Sequence, residues 1–209
     1  MNAITLLTLS GEDRPGITAA VTEILASHGV NVLDIGQAVI HATLSMGLLL
    51  ELPEGANRSA LVAALQGFAA DKGLQLRWQD VQADSYNSWV EAQGRPRYIT
   101  TLLARKITAD QLARVTAVFA RHDIGIDGIT RLSGRVPVGE LPPQSKACVE
   151  FTLRGPLHDL TAFRRELLEV ASELDVDLAF QEDTMYRRNR RLVAFDMDST
   201  LIEAEVIDE

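Results

Sequence analysis

From Ile4 to Leu9 the chain is rich in β-branched and apolar residues, the make-up of a strand. Gly11 to Gly16 then breaks the pattern with turn chemistry. Beyond the break, Ile17, Ala20, Val21, Ile24, Leu25 and His28 recur at helical spacing, and Gly29 supplies the stop. Two further strands are predicted over 30–40 and 44–52. A second helix carries Leu61, Ala64, Leu65 and Phe68 on one face, Gly73 ends it, and a last strand runs over 74–81. The order is strand, helix, strand, strand, helix, strand.

That order occurs twice. His28 aligns with His122, 94 positions on, and at this offset Val21 meets Val115, Leu25 meets Phe119, Val32 meets Ile126 and Ile35 meets Ile129. A period this long marks a duplicated domain, since solenoid units are shorter. The second copy predicts strands over 98–103, 124–132, 147–153 and 176–181, with helices over 108–122 and 157–174. A long loop, 133–146, is punctuated by Gly134, Pro137, Gly139, Pro142 and Pro143. Domain one is therefore set at 1–84, a linker at 85–96 with Trp89 packing at one point, domain two at 97–186, and a different segment at 187–209. The fold class is α+β: each copy is a ferredoxin-like βαββαβ unit, two helices on one face of a four-stranded antiparallel sheet.

Composition narrows the function classes. Twenty Lys and Arg stand against 29 Asp and Glu, a net charge of −9, which argues against a nonspecific grip on nucleic acid or an anionic membrane. No apolar run approaches the ~20 residues of a membrane span, and the start of the chain lacks the pattern of a targeting segment. The single cysteine, Cys148, fits a reducing cytoplasm and reads as a small core residue rather than a nucleophile. His28 and His122 fall at equivalent helix C-termini, where a cation suits the exposed carbonyls. A metal site at either would need further acidic or thiol partners nearby, so a structural role is expected.

The first loop admits two readings. Asp13 can cap the helix, with Pro15 in an early helical position. Alternatively, Gly16 admits a ligand to the backbone, and the helix amides hold its carboxylate. The run Asp13-Arg14-Pro15-Gly16-Ile17, followed by Gly29-Val30-Asn31-Val32, resembles the ACT domain, an amino-acid-sensing module of metabolic enzymes. The resemblance implies an effector, serine or glycine, held by Asp13, Gly16 and Asn31. Asp13 stands where serine-sensing members carry an amide, so an ammonium is its natural contact. In the second copy Asn31 becomes Gly125, and Thr108 with Gln111 makes an ordinary capping box. Any effector is therefore expected in the first copy or at the seam between copies.

After Tyr186 the character changes. A basic run, Arg187 to Arg191, leads into the apolar run Leu192 to Phe195 and then Asp196-Met197-Asp198-Ser199-Thr200. Four apolar residues in a row suit a buried parallel strand, beyond whose carboxyl end chemistry gathers. Two carboxylates placed there can serve as nucleophile and as acid/base at phosphorus, with a cation to offset their charge. Taken alone, acidic residues in a turn are equally an ordinary turn.

The string through Leu201-Ile202 to Glu205 is similar to the first signature of haloacid-dehalogenase-type phosphatases, and two ACT-like repeats before it match the phosphoserine phosphatases of the SerB type. That resemblance implies Asp196 as phosphorylated nucleophile and Mg²⁺ ligand, Asp198 as acid/base and Mg²⁺ ligand, and Glu205 on the substrate ammonium. The implied substrate is L-phosphoserine and the product L-serine, with the repeats regulating or assembling a cytoplasmic homodimer. The catalytic domain of that family continues well beyond Glu209. The expectation is therefore of a regulatory half plus the first strand of a truncated Rossmann-like phosphatase domain, itself without turnover. The alternative is a stand-alone tandem sensor or dimerisation protein without catalysis.

Overall fold

The computed structural model describes residues 3–137, 139 and 145–184. The chain divides between Gln93 and Gly94 into two compact units, each built as the alternation requires.

In the first unit, strand β1 (Ala3–Glu12) is followed by helix α1 (Ile17–Ser27), strands β2 (Asn31–Ile40) and β3 (Thr43–Leu52), helix α2 (Arg58–Lys72) and strand β4 (Gln75–Val81). The sheet order is β2-β3-β1-β4, and every pairing is antiparallel. Thr5, Leu7 and Leu9 of β1 lie opposite Leu50, Leu48 and Met46 of β3, all buried on one face. Val21, Leu25, Leu61 and Leu65 from the two helices complete that core. Asn57 caps α2 by accepting from the Ala60 amide at 3.0 Å, and Gly73 ends it in the left-handed conformation. The segment read as a linker is largely helix α3 (Ala83–Ala92), in which the Tyr86 and Trp89 rings meet at a tilt with centroids 5.9 Å apart. Their i, i+3 spacing was legible. Its polar surroundings concealed it.

The second unit repeats the order with β5 (Arg97–Ala104), α4 (Ala109–Arg121), β6 (Gly125–Arg131), β7 (Ala147–Arg154), α5 (Leu160–Leu174) and β8 (Asp177–Glu182), in sheet order β6-β7-β5-β8. Thr108 and Gln111 form the expected capping box of α4. This core is aromatic where the first is aliphatic: Phe119 meets Phe151 edge-on at 5.4 Å, and Phe163 meets Phe180 at 5.0 Å.

One offset does not serve the whole repeat. Through the first helix and the strand after it 94 holds, since Val21 and Val115, and Leu25 and Phe119, are buried alike, and both strands bulge at the same place, after Val32 and after Ile126. In the first strand, Leu7 faces Leu48 and Trp78, while Thr100 faces Phe151 and Phe180, so the equivalent offset is 93. The second copy thus has one extra residue between strand and helix. Because a strand's faces alternate, a shift of one would otherwise turn the core residues outward. Alternation also corrects Cys148: Ala147 and Val149 are buried on the helix side, so Cys148 lies half-buried on the other face and outside the core.

Truncating Phe163 tests the aromatic core. Phe163→Ala is expected to cost about 3–5 kcal/mol of unfolding free energy. Leu168→Ala, at a residue 66% exposed on the same helix, is expected to stay within about 0.5 kcal/mol. Urea unfolding of the two variants compares them.

Candidate functional site

The first loop leaves β1 at Glu12 and turns back into α1. Asp13 does not cap that helix. The cap position is Gly16, with φ at 93° and no side-chain cap hydrogen bond, and the helix begins one residue later. The chain reverses at Pro15-Gly16, which starts the helical path too late for Asp13 to reach the amides that need an acceptor. A Cβ at Gly16 would meet nothing within 4 Å, so glycine is required here for its backbone angle, and the space above it stays open. At Gly11 the constraint is contact: a Cβ would fall 2.7 Å from Leu74 Cδ2.

Hydrogen bonds hold the loop. The Asp13 amide donates to the Ala42 carbonyl at 2.8 Å, and Thr18 Oγ1 donates to Gln37 Oε1 at 2.8 Å. Arg14 pairs with Glu12 at 2.6 Å, and that carboxylate raises the guanidinium's already high pKa. The Asp13 side chain is exposed at the mouth of this loop.

Asn31 is elsewhere. It opens β2 opposite Glu51, and its side-chain amide donates to Glu51 Oε2 at 3.0 Å. Glu51 lies beside Ile4 near the start of β1, whereas Glu12, next to Asp13, lies beside Thr43. The eight residue steps along β3 from Thr43 to Glu51 span about 26 Å at the usual strand rise. Within one chain the structure brings Asp13 and Gly16 together at one end of the sheet and leaves Asn31 at the other. The other expected site residues, Asp196, Asp198 and Glu205, lie outside the described residues, as do the basic run and the strand predicted before the aspartates.

The histidines are occupied structurally. His28 Nδ1 lies 2.9 Å from the Ile24 carbonyl, closing the end of α1. His122 has an acidic neighbour that sequence spacing does not reveal: Glu166 Oε1 is 3.0 Å from its Nε2, and Arg121 reaches the other oxygen at 2.9 Å. Arg121 first, then His122, holds the Glu166 carboxyl below the usual carboxylate range. The His122 ring also abuts Phe163 edge-on at 5.2 Å. One carboxylate and one imidazole do not make a metal centre, and among the described residues no group of three or more His, Cys, Asp or Glu could hold an ion.

A groove missed in the sequence lies on the sheet face opposite α1 and α2. Leu6, Leu49, Gly36 and Gly47 floor it, Tyr86 and Trp89 of α3 form its wall, and its volume is about 400 Å³. Gly36 and Gly47 are cross-strand partners, and a Cβ on either would meet nothing within 4 Å. Two paired glycines in otherwise apolar strands were the available signal.

Residues 3–79 match the family model of the ACT domain. Over 97% of its length the chain is 33% identical to the phosphoserine phosphatase SerB2 of Mycobacterium tuberculosis, covering 46% of that protein. It is 32% identical to the phosphoserine phosphatase of Streptomyces coelicolor, with the same coverage of each. The chain carries an ACT domain and is similar along its length to phosphoserine phosphatases, SerB2 among them. It spans about half the length of the curated relatives it matches. A protein of unknown function from Galdieria sulphuraria shares the fold, with a TM-score of 0.68 over 88% of this chain and all of that one at 19% identity. No helix among the described residues is long and apolar enough to cross a membrane.

The Glu166 pair generates a pH-dependent prediction. A carboxylate whose pKa is lower folded than unfolded adds stability above its unfolded pKa of about 4.3 and loses it as pH falls through the folded value. Glu166→Gln is therefore expected to lower stability at pH 7 by up to about 1 kcal/mol, the range of exposed pairs. The difference should close below the carboxylate range, as read from urea unfolding across pH.

Proposed function

We propose that this chain is the regulatory portion of a phosphoserine phosphatase of the SerB type, whose parent enzyme hydrolyses L-phosphoserine to L-serine and phosphate. The observation that carries the reading is similarity along 97% of the chain to two proteins named phosphoserine phosphatase. The string from Asp196 to Thr200, with Glu205, supplies the chemistry. Asp196 attacks phosphorus, the bond to the serine oxygen breaks, and Asp198 protonates that oxygen as it leaves. Asp198 then takes a proton from water, which attacks the phosphoaspartyl group, releases phosphate and restores the Asp196 carboxylate. Glu205 pairs with the substrate ammonium. The hard oxygen donors of Asp196 and Asp198 suit Mg²⁺, which would offset the negative charge gathered there.

The first repeat takes an amino-acid effector, serine or glycine. Asp13 meets its ammonium, and the open amides at the start of α1 beside Gly16 meet its carboxylate. Asn31 contributes from a second copy, because its own sheet holds it about 26 Å away along the strand. A homodimer is the assembly that supplies it. The edge strand β2 supports this reading, since Val32, Ile35, Val39 and Ile40 are all exposed on it. The cytoplasm is the compartment that fits a phosphorylated metabolite and a free thiol.

Two measurements test the two halves of the reading. In the full-length protein carrying this sequence, Asp196→Asn is expected to reduce phosphoserine hydrolysis about 10³-fold or more, and undiminished turnover removes the nucleophile assignment. Calorimetric titration with L-serine and with glycine is expected to saturate for one of them and to weaken at least tenfold in Asp13→Ala. Heat from neither amino acid removes the effector site while leaving the hydrolysis result intact.

A further inference from the structure

In a chain with a net charge of −9, the second unit concentrates cations at the corresponding end of its sheet. The β5–α4 loop brings Lys106, the end of β6 brings Arg131, and the segment between β6 and β7 brings Arg135, Ser145 and Lys146, all around a groove of about 390 Å³. Arg105 also lines it, and among the described residues no carboxylate does. Lys106, Arg135 and Lys146 are exposed, whereas Arg131 is half-buried.

Two polar side-chain atoms of its lining residues are buried and have no hydrogen-bond partner among the described residues: Arg131 Nε and Ser145 Oγ. A third group fixes one of them, since Arg131 Nη2 donates to the Gly134 carbonyl at 3.1 Å and so holds the guanidinium in place. Burying a guanidinium N–H and a hydroxyl without partners costs free energy that a folded protein ordinarily avoids. Both atoms can donate to an oxygen, and both belong to residues that line the same basic groove. A bound anion with several oxygens satisfies them together and offsets the gathered charge.

We propose that this groove binds a phosphate dianion, carried either as orthophosphate or as the phosphate group of a small monoester. A phosphate has enough oxygens to accept from Arg131 Nε and Ser145 Oγ at once while facing the ammonium groups of Lys106 and Lys146. A single carboxylate charge would leave most of the cationic wall unmatched. The groove volume lies at the lower end of the range for small-molecule sites, so a monoester of modest size fits. The first repeat has no such site: its corresponding loop carries Glu12 and Asp13, and Gln37 stands at the position of Arg131. The inference is independent of the effector and catalytic readings above, because none of its residues enters them.

Amide NMR of the full chain, titrated with inorganic phosphate against sodium chloride at matched ionic strength, tests it. Saturable shifts are expected at Lys106, Arg131, Ser145 and Lys146. A small phosphate monoester in a second titration identifies the source: tighter binding than phosphate assigns the site to monoesters, and equal binding assigns it to orthophosphate. Arg131→Lys keeps the charge but removes the Nε donor, and should weaken binding at least tenfold. Lys106→Gln combined with Lys146→Gln alters exposed side chains alone and should weaken it similarly with the amide spectrum otherwise preserved. Shifts that track ionic strength without saturating, or saturable shifts confined to the first repeat, overturn the proposal. So does an unchanged affinity in the folded double variant.

Discussion

In each unit the first strand lies in the interior of the sheet, paired on both sides, and this placement governs what the loops can do. β1 is held between β3 and β4, and β5 between β7 and β8. Its backbone groups are therefore taken along most of its length, and its freedom begins where pairing stops. The strand next to the partner it shares, β2 beside β3 or β6 beside β7, runs parallel to it. The loop leaving the first strand and the connection leaving the second consequently emerge at one end of the sheet. In the first unit that proximity is recorded by the bond from the Asp13 amide to the Ala42 carbonyl. In the second it gathers Lys106 with Arg131 and Arg135. A binding site made from two loops far apart in sequence is a consequence of strand direction.

The two copies use that end in opposite ways. The first carries acidic groups and closes on itself, with Glu12 paired to Arg14 and Gln37 receiving Thr18. What remains available is the exposed Asp13 carboxylate and the open helix start. The second carries cations and leaves Arg131 Nε and Ser145 Oγ unmatched. The fold itself is indifferent to this exchange, because the cores are set by the opposite pattern of buried residues on the strand faces. Leu48 and Phe151 occupy corresponding central positions, and each packs beneath its own pair of helices. Duplication under such conditions preserves the interior pattern and lets the loop chemistry diverge.

How far the sequence reached follows from the range of the interactions involved. The eight strands and the four helices that cover the sheets were legible because period-two and period-3.6 patterns are local. The capping box of Thr108 and Gln111 was legible because both partners fall within one turn. Asp13 misled because an acceptor before a helix is a necessary feature of a cap, and the left-handed turn at Gly16 that displaces the helix start is not visible in residue type alone. The separation of Asp13 from Asn31 required the register of β1, β2 and β3. The Glu166 partner of His122 is 44 residues away in sequence, and the basic groove draws on three segments. Contacts of that range become legible only once the chain has folded.

Placing the halves of the proposed effector site at opposite ends of one sheet has a thermodynamic consequence. A ligand that needs Asp13 of one copy and Asn31 of another binds the assembly and not the separate chains. Its binding free energy is then linked to association, and the dimer gains stability in proportion to the logarithm of ligand concentration above its dissociation constant. The same linkage is reciprocal: whatever favours association raises affinity for the effector by the same factor. A site contained within one chain has no such obligation. The phosphate site proposed for the second repeat is of that contained kind, its donors all supplied by one sheet end, so its occupancy would be set by anion concentration alone. In the proposed reading the duplicated fold accommodates one sensor coupled to assembly and one that is not, and strand direction is the feature that separates them.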